Sequence, residues 1–229
     1  MKMEWIDLSL DLQSGMPVYP GDPAFDRHAF LTHEQDGLQA SMMSMSCHSG
    51  THLDAPRHFC ANGSTVEQLP IDRLIGPAFV ADLTWTPGPG RFLDLRVADL
   101  SAMQPGDMLL LATGWDSRAG NERYYQDIPV FAPGTSQWLI QQGIPVLGLD
   151  LPTVVEMGDP ADPADSADPA MMHRQLLGHD IIIIESLARL LPLAGKRVWL
   201  HAVPLRLVGS DGSPIRAYAS HCIFSAGII

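Results

Sequence analysis

The chain has 229 residues, 46% of them apolar and 17% charged, a balance suited to a folded domain with a sizeable core. A net charge of −12 argues against a nucleic-acid partner, which would call for a basic stripe facing phosphates. No run approaches the roughly 18 uninterrupted apolar residues of a membrane span, and early acids in Met1-Lys-Met-Glu-Trp-Ile-Asp7 do not suit a secretory leader, so a cytoplasmic protein is expected.

In chain order, strand-like and helix-like stretches alternate, which points to an α/β or α+β class. Residues 77–83 read as a strand ending at Pro87-Gly-Pro-Gly90, and 97–103 as a short helix before the turn at Pro105-Gly-Asp107. The apolar run 107–113 has the length of a buried strand, closed by Gly114. Residues 135–142 have helical character with Gly143 as a stop, leading into a strand over 145–149. The Asp/Pro-rich stretch 159–169 is expected as a surface loop, with a lid over any neighbouring site as its functional reading. A helix is expected over 171–177, stopped by Gly178, and the four isoleucines 181–184 make a central strand. Residues 185–191 then return to helix and 198–207 form the next strand.

The densest chemistry lies in His48-Ser-Gly-Thr-His52-Leu-Asp54-Ala-Pro-Arg-His58, three imidazoles and a carboxylate within eleven residues. Imidazole and carboxylate together are the ligands that a borderline divalent ion such as Zn²⁺ or Mn²⁺ prefers. In a straight strand His48 and Asp54 would stand roughly 20 Å apart, far beyond a shared ion, so the segment must bend. Gly50 and Pro56 punctuate it, and a strand end breaking into a tight, ligand-bearing loop is expected. Three histidines can also cluster merely to satisfy hydrogen bonds in a packed loop. The complete H-x-x-x-H-x-D-x-x-x-H pattern favours the metal. Cys47 and Cys60 flank the cluster and admit a Cys–His nucleophile, but a carboxylate with three imidazoles fits a metal better. The third cysteine, Cys222, leaves an odd thiol and no disulfide framework.

The segment from His48 to Phe59 resembles the signature of the cyclase family, which includes bacterial kynurenine formamidases and isatin hydrolases. Pro17-Val-Tyr-Pro-Gly-Asp22, Gly143-Ile-Pro-Val-Leu-Gly-Leu-Asp150, His173-Arg-Gln-Leu-Leu177 followed by Ile181-Ile-Ile-Ile-Glu185, Pro204-Leu-Arg-Leu207 and Gly212-Ser-Pro-Ile-Arg-Ala217 extend the resemblance over essentially the whole chain. It implies a single domain, 1–229, of the α/β class, with a mixed β-sheet and flanking helices of the swivelling type.

The same resemblance implies a site. His48, His52 and Asp54 would hold one divalent ion; Asp54 and Glu185 would bridge to a second completed by His173, with Zn²⁺ or Mn²⁺ as the metal and one or two ions per subunit. Without the resemblance, Glu185 reads as a solvated carboxylate in the first turn of a helix, stabilised by the helix dipole. The matching third histidine, His58, would be a general acid/base rather than a ligand, and an imidazole titrating near neutrality suits that task. Tyr19, where kynurenine formamidases usually carry Trp, would offer an aromatic wall to a substrate ring, and Trp115 is a second candidate wall. His179, His201 and His221 are taken as structural or surface residues. The implied activity is hydrolysis of a carbon–nitrogen amide bond in an aryl-amide metabolite, N-formylkynurenine first, as a step of tryptophan catabolism. An isatin-type lactam hydrolase and a non-catalytic metal- or metabolite-binding protein are the rivals. A homo-oligomer, dimer or tetramer, acting on a small molecule is expected.

Overall fold

A computed structural model of the chain describes residues 4–84, 92–158 and 168–221. The strands are β1 (Trp5–Asp7), β2 (Asp26–Leu31), β3 (Ala40–Ser44), β4 (His52–Asp54), β5 (Ile75–Asp82), β6 (Met108–Ala112), β7 (Val146–Leu149), β8 (Ile182–Glu185), β9 (Arg197–His201), β10 (Gly212–Pro214) and β11 (Tyr218–Ser220). Three α-helices accompany them: α1 (His33–Asp36), α2 (Thr135–Gln142) and α3 (Met171–Gly178). Nine strands make one mixed sheet in the order β1-β11-β9-β5-β6-β7-β8-β4-β10, while β2 and β3 pair by themselves.

The centre of the sheet, β5 to β8, is parallel, and antiparallel strands extend it on both sides. Parallel strands need crossovers, and α2 and α3 supply those from β6 to β7 and from β7 to β8. Because the central strands are covered on both faces, their sequences are continuous apolar runs rather than alternating ones. Neighbouring residues feed opposite cores: Val80, Leu110, Ile182 and Ile184 enter one, Phe79, Leu109, Leu147 and Ile183 the other. The mixed sheet with flanking helices is as the sequence implies, with less helix than expected.

The strands over 77–83, 107–113, 145–149 and 181–184 and the helix over 135–142 are where the sequence places them, and Gly143 ends α2 with φ +65°. Four expectations need correction. Residues 97–103 do not form the expected helix; a 3-10 turn at Leu95–Val97 ends at their first residue, with Asp94 capping it through a hydrogen bond from the Arg96 N–H. Gly178 is the last residue of α3 rather than its stop, and the left-handed turn falls at Asp180 with φ +61°. Residues 185–191 do not return to helix, because Ser186 and Arg189 both take φ +58° and the N–H groups of Ser186 and Leu187 donate to Leu151 and Leu149. The strand expected over 198–207 ends at His201, and two short strands, β10 and β11, follow a turn. The turn at 87–90, most of the acidic stretch 159–169 with its lid reading, and Cys222 lie outside the described residues.

A candidate metal centre under an aromatic pocket

The site grows from β4 and its neighbours. The sequence anticipated a strand end breaking into a tight loop, and the segment does so with a turn on each side of a short strand: a turn carrying His48 leads into His52–Asp54, which then breaks into a 3-10 turn at Pro56–His58. Gly50 makes the first turn possible with φ +64°, where a Cβ would also lie 2.5 Å from Leu12 Cδ2. Thr51 ties that turn to the sheet: its hydroxyl donates to the Ser186 carbonyl at 2.5 Å and accepts from the Leu10 N–H.

Residues two apart on a strand share a face, so His52 and Asp54 point the same way. The antiparallel register sets His52 opposite Glu185 on β8. From α3, whose first turns pack beside β8 and the Pro56 turn, His173 reaches the same point. Four of these groups are almost wholly buried, His52 at 2% exposure, Asp54 at 1%, Glu185 at 4% and His173 at 6%. Glu185 is therefore no solvated helix-end carboxylate, and no helix follows it.

Each carboxylate is shared between imidazoles. Asp54 Oδ1 lies 2.8 Å from His48 Nδ1 and 3.5 Å from His52 Nε2, and its Oδ2 lies 3.9 Å from His173 Nε2. Glu185 turns Oε1 to His173 Nε2 at 3.1 Å and Oε2 to His52 Nε2 at 3.5 Å. The His52 Nδ1–H donates to the Gly50 carbonyl at 2.9 Å, so Nε2 is the ring nitrogen directed between two carboxylates.

That arrangement is unfavourable unless something positive stands among the three groups. His52 Nε2, Asp54 Oδ2 and His173 Nδ1 are all buried without a hydrogen-bond partner, and His52 Nε2 stands 3.5 Å from both Asp54 Oδ1 and Glu185 Oε2. Ligand atoms of His52, Asp54 and Glu185 converge within 4.8 Å, as do those of His48, Asp54 and His58. Imidazole and carboxylate donors so placed fit a divalent cation.

The protonation pattern carries the same message. Burial opposes charge on His48, yet the hydrogen bond and charge of Asp54, with help from Asp211, hold its pKa up at about 9. Burial likewise opposes, and Asp54 and Glu185 respectively overcome, so that His52 and His173 are also raised. Against the effect of burial, His48 and His52 hold the Asp54 carboxyl well below its usual range. His58 goes the other way, lowered chiefly by burial.

Above the cluster opens a cavity of about 300 Å³, lined at its floor by His48, His52, His58, His173 and Glu185. Its walls include Tyr19, Phe59 and Tyr125, with Asp22, Pro152 and Val155 beside them. Tyr19 and Tyr125 meet edge to face with centroids 6.0 Å apart, and Phe59 stacks on His173 at 4.6 Å. The structure thus brings together His48, His52, Asp54, His58, His173, Glu185 and Tyr19, with Asp54 beneath the floor rather than in it.

Trp115 is not a wall. It is buried at 2% exposure, its indole N–H donates to the Tyr124 carbonyl, and Arg118 stacks over its ring. Cys47 and Cys60 do not line the cavity either: Cys47 Sγ contacts Ser210 Oγ and Cys60 packs with the apolar core. Sequence reasoning missed Tyr125, for which no local pattern exists. It also missed Asp211, which lies just before the matched segment Gly212-Ser-Pro-Ile-Arg-Ala217.

A family model described as putative cyclase matches residues 6–154. The kynurenine formamidase of Bacillus cereus is 33% identical over 215 residues, covering 93% of this chain and 96% of the relative. That of Geobacillus thermodenitrificans is 36% identical over 219 residues, covering 95% and 97%. Among solved structures, an isatin hydrolase bound to the product analogue thioisatinate superposes with a TM-score of 0.80 at 25% identity, covering 95% of this chain and 92% of that one. A structure described as a predicted metal-dependent hydrolase from Bacillus stearothermophilus gives 0.74 at 27% identity, covering 97% and 100%.

Proposed function

The chain belongs to the cyclase family, and from that premise we propose that it is a metal-dependent amidohydrolase cleaving N-formylkynurenine to kynurenine and formate. One observation carries the chemistry: four imidazoles and the buried Glu185 converge at the floor of an aromatic-walled cavity, with buried Asp54 directly beneath. His48, His52 and Asp54 would hold one divalent ion, and Asp54, Glu185 and His173 a second, a reading supported by the two oxygens of each carboxylate facing different imidazoles. Mixed imidazole and carboxylate ligands suit Zn²⁺ or Mn²⁺. When bound, such an ion polarises the amide carbonyl and lowers the pKa of a water molecule it holds.

The chain's own groups do the rest. Tyr19, Tyr125 and Phe59 offer ring edges and faces to an aniline ring, which orients the formamide toward the floor. His58 is largely uncharged near neutrality, since burial lowers its pKa, so it can take a proton from water as the C–O bond forms. It then gives that proton to the departing nitrogen as the C–N bond breaks, releasing a neutral arylamine and formic acid, which loses its proton to solvent as formate.

A lactam of the isatin type is the second reading, favoured by the superposition on an isatin hydrolase. Both substrates should be offered side by side to protein stripped with chelator and refilled with Zn²⁺ or Mn²⁺. Metal-restored release of formate from N-formylkynurenine is expected. Ring opening of isatin alone would transfer the assignment to the lactam, and turnover of neither would return the chain to a binding role.

We further place the protein in the cytoplasm as a homo-oligomer built from one domain spanning 1–229. No helix among the described residues is long and apolar enough to cross a membrane, and the β2–β3 pair exposes Phe30, Met42 and Met43 in a manner suited to a partner subunit.

A further inference from the structure

We propose that Asp211 is a positioning residue that holds both His48 and His58, a role that rests on the metal-hydrolase reading of the site. Its backbone is fixed by its surroundings. Asp211 immediately precedes β10, where Gly212 pairs with Asp54, and its carbonyl accepts the Ala55 N–H at 2.8 Å. On its other side the Ser210 carbonyl accepts the Val66 N–H at 2.9 Å, and the Ser210 hydroxyl donates to the Gly212 carbonyl. The carboxylate is thus delivered from a strand end rather than from a free loop.

A single oxygen, Oδ2, lies 3.2 Å from His48 Nε2 and 3.4 Å from His58 Nδ1. The two rings stack at 3.9 Å with an interplanar angle of 26°, so one carboxylate can face an edge of each. The consequence differs for the two imidazoles. A proton kept on His48 Nε2 leaves the lone pair on Nδ1, the nitrogen 2.8 Å from Asp54 and hence on the metal side. A proton kept on His58 Nδ1 leaves Nε2 as the nitrogen for proton exchange with substrate. The side chain of Asp211 is itself 47% exposed, so its value to core packing is small. What it contributes is the orientation and tautomer of two groups on which the chemistry depends.

The experiment compares wild type with Asp211→Ala and Asp211→Asn, through two readouts that need no substrate. Calorimetric titration of chelator-stripped protein with Zn²⁺ reports on His48. Imidazole ¹⁵N chemical shifts of the zinc-loaded protein report on the His58 tautomer. With Asp211→Ala, Zn²⁺ affinity should fall about 10–100-fold, the range seen when an outer partner of a ligand histidine is lost. The His58 Nδ1–H form should give way to the Nε2–H form. Asp211→Asn keeps an acceptor oxygen and should recover part of both. Affinity within twofold of wild type together with an unchanged tautomer overturns the proposal, and so does a change confined to one of the two. Wild type that binds Zn²⁺ yet hydrolyses neither amide would indict the substrate assignment and leave these two readouts standing.

Discussion

Gly212 offers a severe test of the geometry around His48. A Cβ at this position would lie 2.6 Å from His48 Cε1, 3.1 Å from His48 Nδ1 and 3.0 Å from the Leu53 carbonyl oxygen. Carbon atoms settle at about 3.5–4.0 Å, so Gly212→Ala requires the ring to retreat by roughly 1 Å. Retreat is blocked on several sides: Asp54 holds Nδ1 at 2.8 Å, Asp211 faces Nε2 at 3.2 Å, and His58 covers one face at 3.9 Å. Displacing a reactive constellation by about 1 Å costs on the order of 10²-fold in turnover. Overpacking costs about 1–3 kcal/mol, which a stability of about 5–15 kcal/mol tolerates, so the variant should remain folded. Gly212 does not occupy the left-handed region, so backbone strain adds nothing. Gly209→Ala is the control: it lies three residues away at φ +79° with no atom within 4 Å of the added Cβ. It should lower stability and leave Zn²⁺ affinity alone. Steady-state kinetics, Zn²⁺ titration and thermal midpoints on both variants would check this. A folded Gly212→Ala protein with kcat and Zn²⁺ affinity within twofold of wild type would refute the claim that the ring is fixed.

His58→Ala should lower kcat by about 10²–10⁴-fold, the range for a lost general acid/base, while metal content measured by atomic absorption stays at the wild-type value. Metal lost along with activity would make His58 a ligand of the His48–Asp54 group instead. Free Zn²⁺ at 100 times its dissociation constant should stabilise stripped protein by about 2.7 kcal/mol, and each kcal/mol moves the midpoint of a chain this size by about 2–4 °C. A scanning-calorimetry shift below about 2 °C would speak against a metal held by the folded state alone. Zn²⁺ affinity should also rise with pH, by about tenfold per unit for each ligand proton displaced, until pH passes about 9, the pKa of His48 in metal-free protein. The sign for metal-free stability is opposite. The raised pKa of His48 contributes stability that is complete below the ordinary imidazole value of about 6.5 and lost as pH climbs through about 9, visible in urea unfolding across that window.

What could be read from the chain was the part with short-range causes. His48, His52, Asp54 and His58 fall within eleven residues, and the strand of isoleucines leading to Glu185 announces itself by composition. The segment after Glu185 failed for a physical reason. Its helix-forming residues lose to tertiary hydrogen bonds, with the Ser186, Leu187 and Ala188 N–H groups taken by Leu151, Leu149 and Leu8. Propensity is a weak prior where neighbouring strands claim the backbone. Asp211 was hidden because 163 residues separate it from His48, and its only local signature is a turn-forming Ser-Asp-Gly. Tyr125 sits on a 3-10 turn, Glu122–Tyr125, whose position no periodicity marks.

The protons of the metal-free cluster explain how so many ionisable groups share one buried spot. Two carboxylates exposed at 1% and 4% would repel each other strongly with no positive partner. Here Asp54 raises the pKa values of His48 and His52, Glu185 raises that of His173, and His48 and His52 in turn hold Asp54 low. Protons therefore occupy the role that a divalent cation would take over. A cation there would also give a partner to His52 Nε2 and Asp54 Oδ2, both buried without a hydrogen bond. Because His52, Asp54, Glu185 and His173 stand on β4, β8 and α3, all locked into the sheet or against it, a cation bound among them would require no refolding.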